Sequence, residues 1–84
     1  MKEYMRFPVA IDLKTRDDLQ TFLTLSQRGD RAIYHLGYLA IDMAKMPVLR
    51  DLDMAIKEAL VDGRVELSQR RIDQFMYEYR VVKL

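Results

Sequence analysis

The chain holds a single histidine, His35, and no cysteine, so thiolate nucleophiles, disulfides and cysteine-based zinc sites have no residues to build them. A metal at His35 would have to draw on carboxylates such as Asp30 and Asp42, whose spacing fits no metal-binding motif. As a general base His35 would need a nucleophile, and neither Ser26 nor Ser68 lies in a motif that would activate it. The carboxylate pairs read structurally. Asp17 and Asp18 are adjacent, point to different sides of a helix and complement its N-terminal dipole; Asp51 and Asp53 diverge in the same way. Glu58 and Asp62 share a face near a helix C-terminus, where negative charge is unfavourable and Arg64 is placed to relieve it. These residues imply no catalytic centre, cofactor or metal and no small-molecule substrate, and the chain reads as non-enzymatic.

The sharper chemical signal is Gln69, Arg70 and Arg71, followed by Phe75, Met76, Tyr77 and Tyr79. Arginine beside exposed aromatic rings is the equipment for phosphate contact and for stacking on bases or peptides. With Arg64 and Arg80 these residues form the candidate nucleic-acid-binding set. The structural alternative is a hairpin whose inner face carries Tyr77 and Tyr79 into the core, with outward arginines that discourage edge pairing. Residues 64–84 carry five basic side chains (Arg64, Arg70, Arg71, Arg80, Lys83) against three acidic ones (Glu66, Asp73, Glu78), so this is the basic part of the chain. The preceding helix carries Arg50 and Lys57 against Asp51, Asp53, Glu58 and Asp62. Net charge is +1 and the isoelectric point about 8.0, too near neutral for bulk electrostatics to argue for a nucleic-acid partner.

The elements that would position these residues follow from periodicity. Leu49, Leu52, Ile56, Ala59 and Leu60 recur at three- and four-residue steps and predict a helix from Val48 with that stripe on the core. The opposite side holds Arg50, Asp51, Asp53, Lys57, Glu58 and Asp62, with Asp53 and Lys57 spaced to pair. Pro47 suits the first helical position and Gly63 the residue after the last. Beyond Gly63 the period becomes two: Val65 and Leu67 alternate with Glu66 and Ser68, then Tyr77, Tyr79 and Val81 with Glu78, Arg80 and Val82. A β-hairpin results. Its tip, near Ile72 to Phe75, lacks the Asn-Gly or Asp-Gly signature of a tight turn, which predicts a longer, looser loop.

Earlier in the chain, Phe7, Val9, Ile11 and Leu13 alternate with Pro8, Ala10, Asp12 and Lys14 and suggest a short strand, with Pro8 confined to an edge. Thr15 and Asp18 form a shortened capping box, and Leu19, Phe22, Leu23 and Ser26 share a helical face that should run to about Gln27. Residues 31–46 fit two periods. Ile33-Tyr34 and Gly37 favour a strand at the front, the run LAIDMAKM favours a helix before Pro47, and strand followed by helix is the reading adopted. Leu36, Leu39, Ile41 and Val82 compete for the same core. Met43, Met46 and Met54 suit core filling, or else an adaptable contact surface.

At 84 residues the chain is one small domain spanning 1–84, near the size at which a dimer or partner often supplies missing burial. Half its residues are hydrophobic and 32% charged, as in ordinary globular proteins. No apolar run reaches the ~18 residues of a membrane span, and the charged N-terminus lacks the apolar core of a signal peptide. A cytoplasmic location away from the membrane is expected.

An amphipathic helix, a helix-terminating Gly63 and a two-stranded hairpin with arginines at its tip, preceded by another helix and a short strand, resemble the winged-helix family in element order from about Thr15 to Lys83. The implied fold is a small α+β domain of two or three helices, a C-terminal β-hairpin and one or two short additional strands. The resemblance further implies that the helix from Val48 is the recognition helix, with Arg50 and Lys57 facing the groove, and that Gln69 to Arg71 form the wing, with Arg70 and Arg71 on phosphate. Asp51, Asp53, Glu58 and Asp62 depart from the DNA-binding members, because an acidic recognition helix repels phosphate. Winged-helix modules also serve as protein-binding and dimerisation units. A nucleic-acid partner and a protein partner or homodimer therefore both stand as expectations. The runs YHLGYLA, GRVELSQRR and YEYRVV are also similar to small uncharacterised bacterial or phage proteins, a resemblance that implies no function.

Overall fold

A computed structural model describes residues 11–84 of the chain. Its elements are β1 (Ile11–Asp12), α1 (Arg16–Leu25), β2 (Arg31–Gly37), α2 (Leu39–Met43), α3 (Pro47–Val61), β3 (Val65–Asp73) and β4 (Met76–Lys83). The fold is α+β, with three helices and a C-terminal hairpin. In the sheet β4 is central, antiparallel to β2 on one side and to β3 on the other, and the two-residue β1 adds to β2 in parallel, giving the order β1-β2-β4-β3. The strand expected over 7–14 is seen at Ile11–Asp12; Phe7, Pro8, Val9 and Ala10 lie outside the described residues.

Local chemistry sets the helix boundaries. The Thr15 side chain accepts from the Asp18 N–H at 3.1 Å while Asp18 Oδ2 accepts from the Thr15 N–H at 3.1 Å, a complete capping box that starts α1. α1 stops at Leu25, two residues short of the expected end, because Ser26 turns to extended backbone. Pro47 opens α3. At its other end Gly63 takes φ +75°, its N–H bonds to the Leu60 carbonyl, and the Arg64 N–H reaches back to the Ala59 carbonyl at 2.9 Å. That pair of bonds is the Schellman arrangement, which needs a residue tolerant of positive φ at the Gly63 position.

The core lies between the two long helices and one face of the sheet. α1 contributes Leu19, Phe22 and Leu23, α3 contributes Leu52, Ala55, Ile56 and Ala59, and the sheet contributes Ala32, Tyr34, Val65, Tyr79 and Val81. Two expected placements on α3 are corrected. Leu60, assigned to the inner stripe, is exposed, and Asp53, assigned to the outer face, is buried. On a 100° step per residue Asp53 and Leu60 fall about 20° apart at the same edge of the arc centred on Leu52, Ile56 and Ala59, so their difference is one of position along the axis: Asp53 is mid-helix, whereas Leu60 in the last turn, like Val48 in the first, is exposed. Asp53 tolerates burial because Lys57 Nζ donates to it at 3.1 Å, the spaced pair that the sequence suggested.

Core filling by Met46 and Met54 is also corrected, since both are exposed, as are Leu36 and Ile41; of the residues competing for the core, Leu39 packs against it. β2 carries a bulge at Tyr34, with Ile33 opposite Arg80 and His35 opposite Tyr79. The extra residue lets two consecutive rings, Tyr34 and His35, both approach Tyr79, at 6.1 and 6.0 Å between centroids.

The hairpin tip is tighter than expected. Asp73 stands opposite Met76, so the turn is two residues, Gln74 and Phe75. Neither has positive φ, and a turn of that kind twists against the strands. The mismatch is absorbed one step earlier, where the pairing skips Ile72 in a second bulge.

Candidate binding surface on the C-terminal hairpin

Strand alternation divides the hairpin's side chains between two faces. Val65, Leu67, Gln69 and Arg71 of β3 lie on the helix-covered face with Tyr77, Tyr79 and Val81 of β4, while Glu66, Ser68 and Arg70 lie on the open face with Glu78, Arg80 and Val82. The helices cover only the base of the hairpin. β2 ends at Gly37, opposite Tyr77, so residues 72–76 extend past the last rung of β2. Ile72, Phe75 and Met76 are exposed there, with Phe75 at 69%.

The five candidate nucleic-acid residues do not converge on one patch. Arg64 sits at the start of β3, roughly 20 Å along the strand from Arg70 at ~3.3 Å per residue. Arg70 and Arg80, on the open face, share one carboxylate: Arg70 Nη2 is 3.3 Å and Arg80 Nε 3.6 Å from Glu78 Oε1. Gln69 and Arg71 share the other face, both exposed, with Arg71 directly opposite Tyr77. Arg71 forms no ion pair with any described residue; its Nε donates to the Asp73 carbonyl at 3.4 Å. Tyr38, exposed at the start of α2, brings its ring to 6.2 Å from that of Tyr77, which in turn lies 6.1 Å from Tyr79. The result is a row of aromatic rings, Tyr38, Tyr77 and Tyr79, flanked on β3 by Arg71 opposite Tyr77 and Gln69 opposite Tyr79. Tyr38 carries no local sequence signal, because its place beside Tyr77 depends on how β2 pairs with β4.

The acidity of α3 is distributed more favourably than its composition implies. Asp51 and Glu58 both turn towards α1, where Arg16 meets them at 3.2 and 3.6 Å. Arg16, and not Arg64, is therefore the partner of Glu58. These carboxylates hold the Arg16 guanidinium above its ordinary pKa, chiefly through the Asp51 hydrogen bond. The stripe that points outward is Arg50, Met54, Lys57 and Val61, all exposed and none acidic.

His35 and Asp42, the pair whose chemistry had to be considered, are in contact: Nε2 to Oδ2 is 2.6 Å, and the same oxygen accepts from the Tyr38 N–H at 3.2 Å. The His35 bond holds the Asp42 carboxyl below its ordinary pKa. A Cβ on Gly37 would fall 2.6 Å from that Asp42 oxygen and 3.0 Å from His35 Nε2, so glycine is what lets the pair close across the end of β2. The pair, together with the Leu39 N–H donating to the Tyr79 hydroxyl at 3.1 Å, fastens the short α2 to the sheet. Among the described residues, no group of three or more His, Cys, Asp or Glu side chains could hold a metal ion, and no helix is long and apolar enough to cross a membrane.

No protein-family model matches the chain, and neither a curated protein nor a solved structure is significantly similar to it.

Proposed function

We infer that the chain is a non-enzymatic binding module of winged-helix type that contacts nucleic acid with its C-terminal hairpin. The observation that carries the reading is the exposed Arg71, opposite Tyr77 on the last rung before the overhang: with Gln69 it flanks the row of tyrosine rings, and it is free of any carboxylate among the described residues. A guanidinium with no internal ion pair keeps its charge for phosphate, and adjacent rings accept unstacked bases. Two further observations support it. The element order, with α1 and β2 before the amphipathic α3 and the β3–β4 hairpin after Gly63, is the feature on which the resemblance rests. The outward stripe of α3 presents Arg50, with Lys57 engaged by Asp53 at 3.1 Å and with Asp51 and Glu58 turned to Arg16. Arg70 and Arg80 take a secondary part, because phosphate would have to compete with Glu78 for them.

The test is binding of a fluorescent single strand and duplex at low salt, read by anisotropy. Arg71→Ala should weaken binding and lower the slope of log affinity against log salt by about 1, one phosphate contact's worth. Arg64→Ala should leave the affinity within about twofold, since ordinary surface substitutions change little. Absence of binding at low salt would remove this reading. A protein-contact role would then take its place, favoured by the exposure of Val48, Met46 and Met54 at and near α3.

A further inference from the structure

β3 is the outer strand of the sheet, nine residues long, and no described element pairs with its free edge. The backbone groups on that edge can be identified. The Leu84 N–H donates to the Arg64 carbonyl, and Lys83 exchanges bonds with Gly29 and Asp30 on the β2 side. Even-numbered β3 residues therefore bond inward to β4, and Val65, Leu67, Gln69 and Arg71 direct their N–H and C=O outward. The strand holds no proline, and a row of unpaired donors and acceptors of this length is a template for another strand.

Side-chain charge selects which strand fits. We propose that β3 pairs antiparallel with β3 of a second copy, in the two-fold register centred on Ser68. That register sets Leu67 opposite Gln69 and Val65 opposite Arg71, so the outward backbone groups of each copy meet. Glu66 then stands opposite Arg70 of the second copy, twice, in non-hydrogen-bonded pairs where side chains approach most closely. On the open face Arg70 lies between Glu78 of its own chain, 3.3 Å away, and Glu66 of the second copy, and the charges alternate across the joined sheets. Moving the centre to Leu67 would oppose Arg64 to Arg70, and moving it to Gln69 would oppose Glu66 to Ile72 and lose both ion pairs. Charges that deter a foreign strand thus complement an identical one. The dimer leaves the Tyr38–Tyr77 row on the other face and does not depend on the nucleic-acid reading.

Sedimentation velocity of the whole chain over a wide concentration range, without nucleic acid, tests this. The wild type should pass from one to two chains per particle. Glu66→Arg and Arg70→Glu should each weaken self-association by about tenfold or more, because two attractive pairs become repulsive. An equimolar mixture of the two variants should dimerise again, since every Arg then faces a Glu. Arg70→Glu also places a carboxylate opposite Glu78, so Gln69→Pro is the independent variant: it removes an outward N–H, spares the bonds to β4 and should remain monomeric with an unchanged circular dichroism spectrum. A wild type that stays monomeric at every concentration, or variants that dimerise as well as it does, would overturn the proposal.

Discussion

Tyr34 and Gly37, both on β2, are held for different reasons. Tyr34 is buried against Asp53 and Tyr79, and burial, with those neighbours, pushes its phenol up from the ordinary 10.0 to about 12. In the unfolded chain the phenol ionises at its ordinary value, so above that pH the folded state binds more protons than the unfolded one and stability falls with rising pH. Urea midpoints should therefore be steady below about pH 10 and decline between about 10 and about 12. Tyr34→Phe should flatten that part of the decline, and an unchanged decline would disconnect it from Tyr34. Gly37 has φ +140° and no room for a Cβ beside Asp42 and His35. Gly37→Ala should cost ~1–3 kcal/mol through backbone strain and crowding, measured by the same denaturation. Wild-type stability would mean that the pair between β2 and α2 has freedom the geometry does not suggest.

The contrast among elements is sharpest in α3, which is covered along its middle and more exposed, at Val48 and Leu60, in its first and last turns. Ile56 is fully buried and Leu60 is 39% exposed. Ile56→Ala should cost ~2–5 kcal/mol, whereas Leu60→Ala should cost far less, so chemical denaturation of the two variants separates the inner stripe from the rim. Equal losses would contradict the placement. The start of α1 and both limits of α3 were legible beforehand because capping is local: Thr15 with Asp18, Pro47 and Gly63 each act within one turn. The hairpin strands were legible from their alternation. What local pattern could not convey was the burial of Asp53, which depends on its pairing with Lys57 and on the cover over the middle of the helix. Nor did it reveal the two-residue turn at Gln74 and Phe75, since a turn without a positive-φ residue carries no Asn-Gly or Asp-Gly mark. The bulges at Tyr34 and Ile72 arise from pairing between distant segments, and the one at Tyr34 decides which rings meet Tyr79.

For the molecule as a whole, the candidate site was legible as composition and not as arrangement. Arg64, Gln69, Arg70, Arg71 and Arg80 are close in sequence, yet strand alternation sends them to two faces and two ends, and Glu78 engages two of the arginines. The surface proposed for nucleic acid takes in the far end of the hairpin and the outward stripe of α3. Two-dimensional amide NMR during titration with a short oligonucleotide at low salt examines that combined surface most directly. The predicted result is salt-sensitive shifts concentrated at Gln69 to Tyr77, Tyr38, Arg50 and Lys57, with Arg64 and the body of α1 unmoved. Shifts confined to α1, or none at any oligonucleotide concentration, would contradict it.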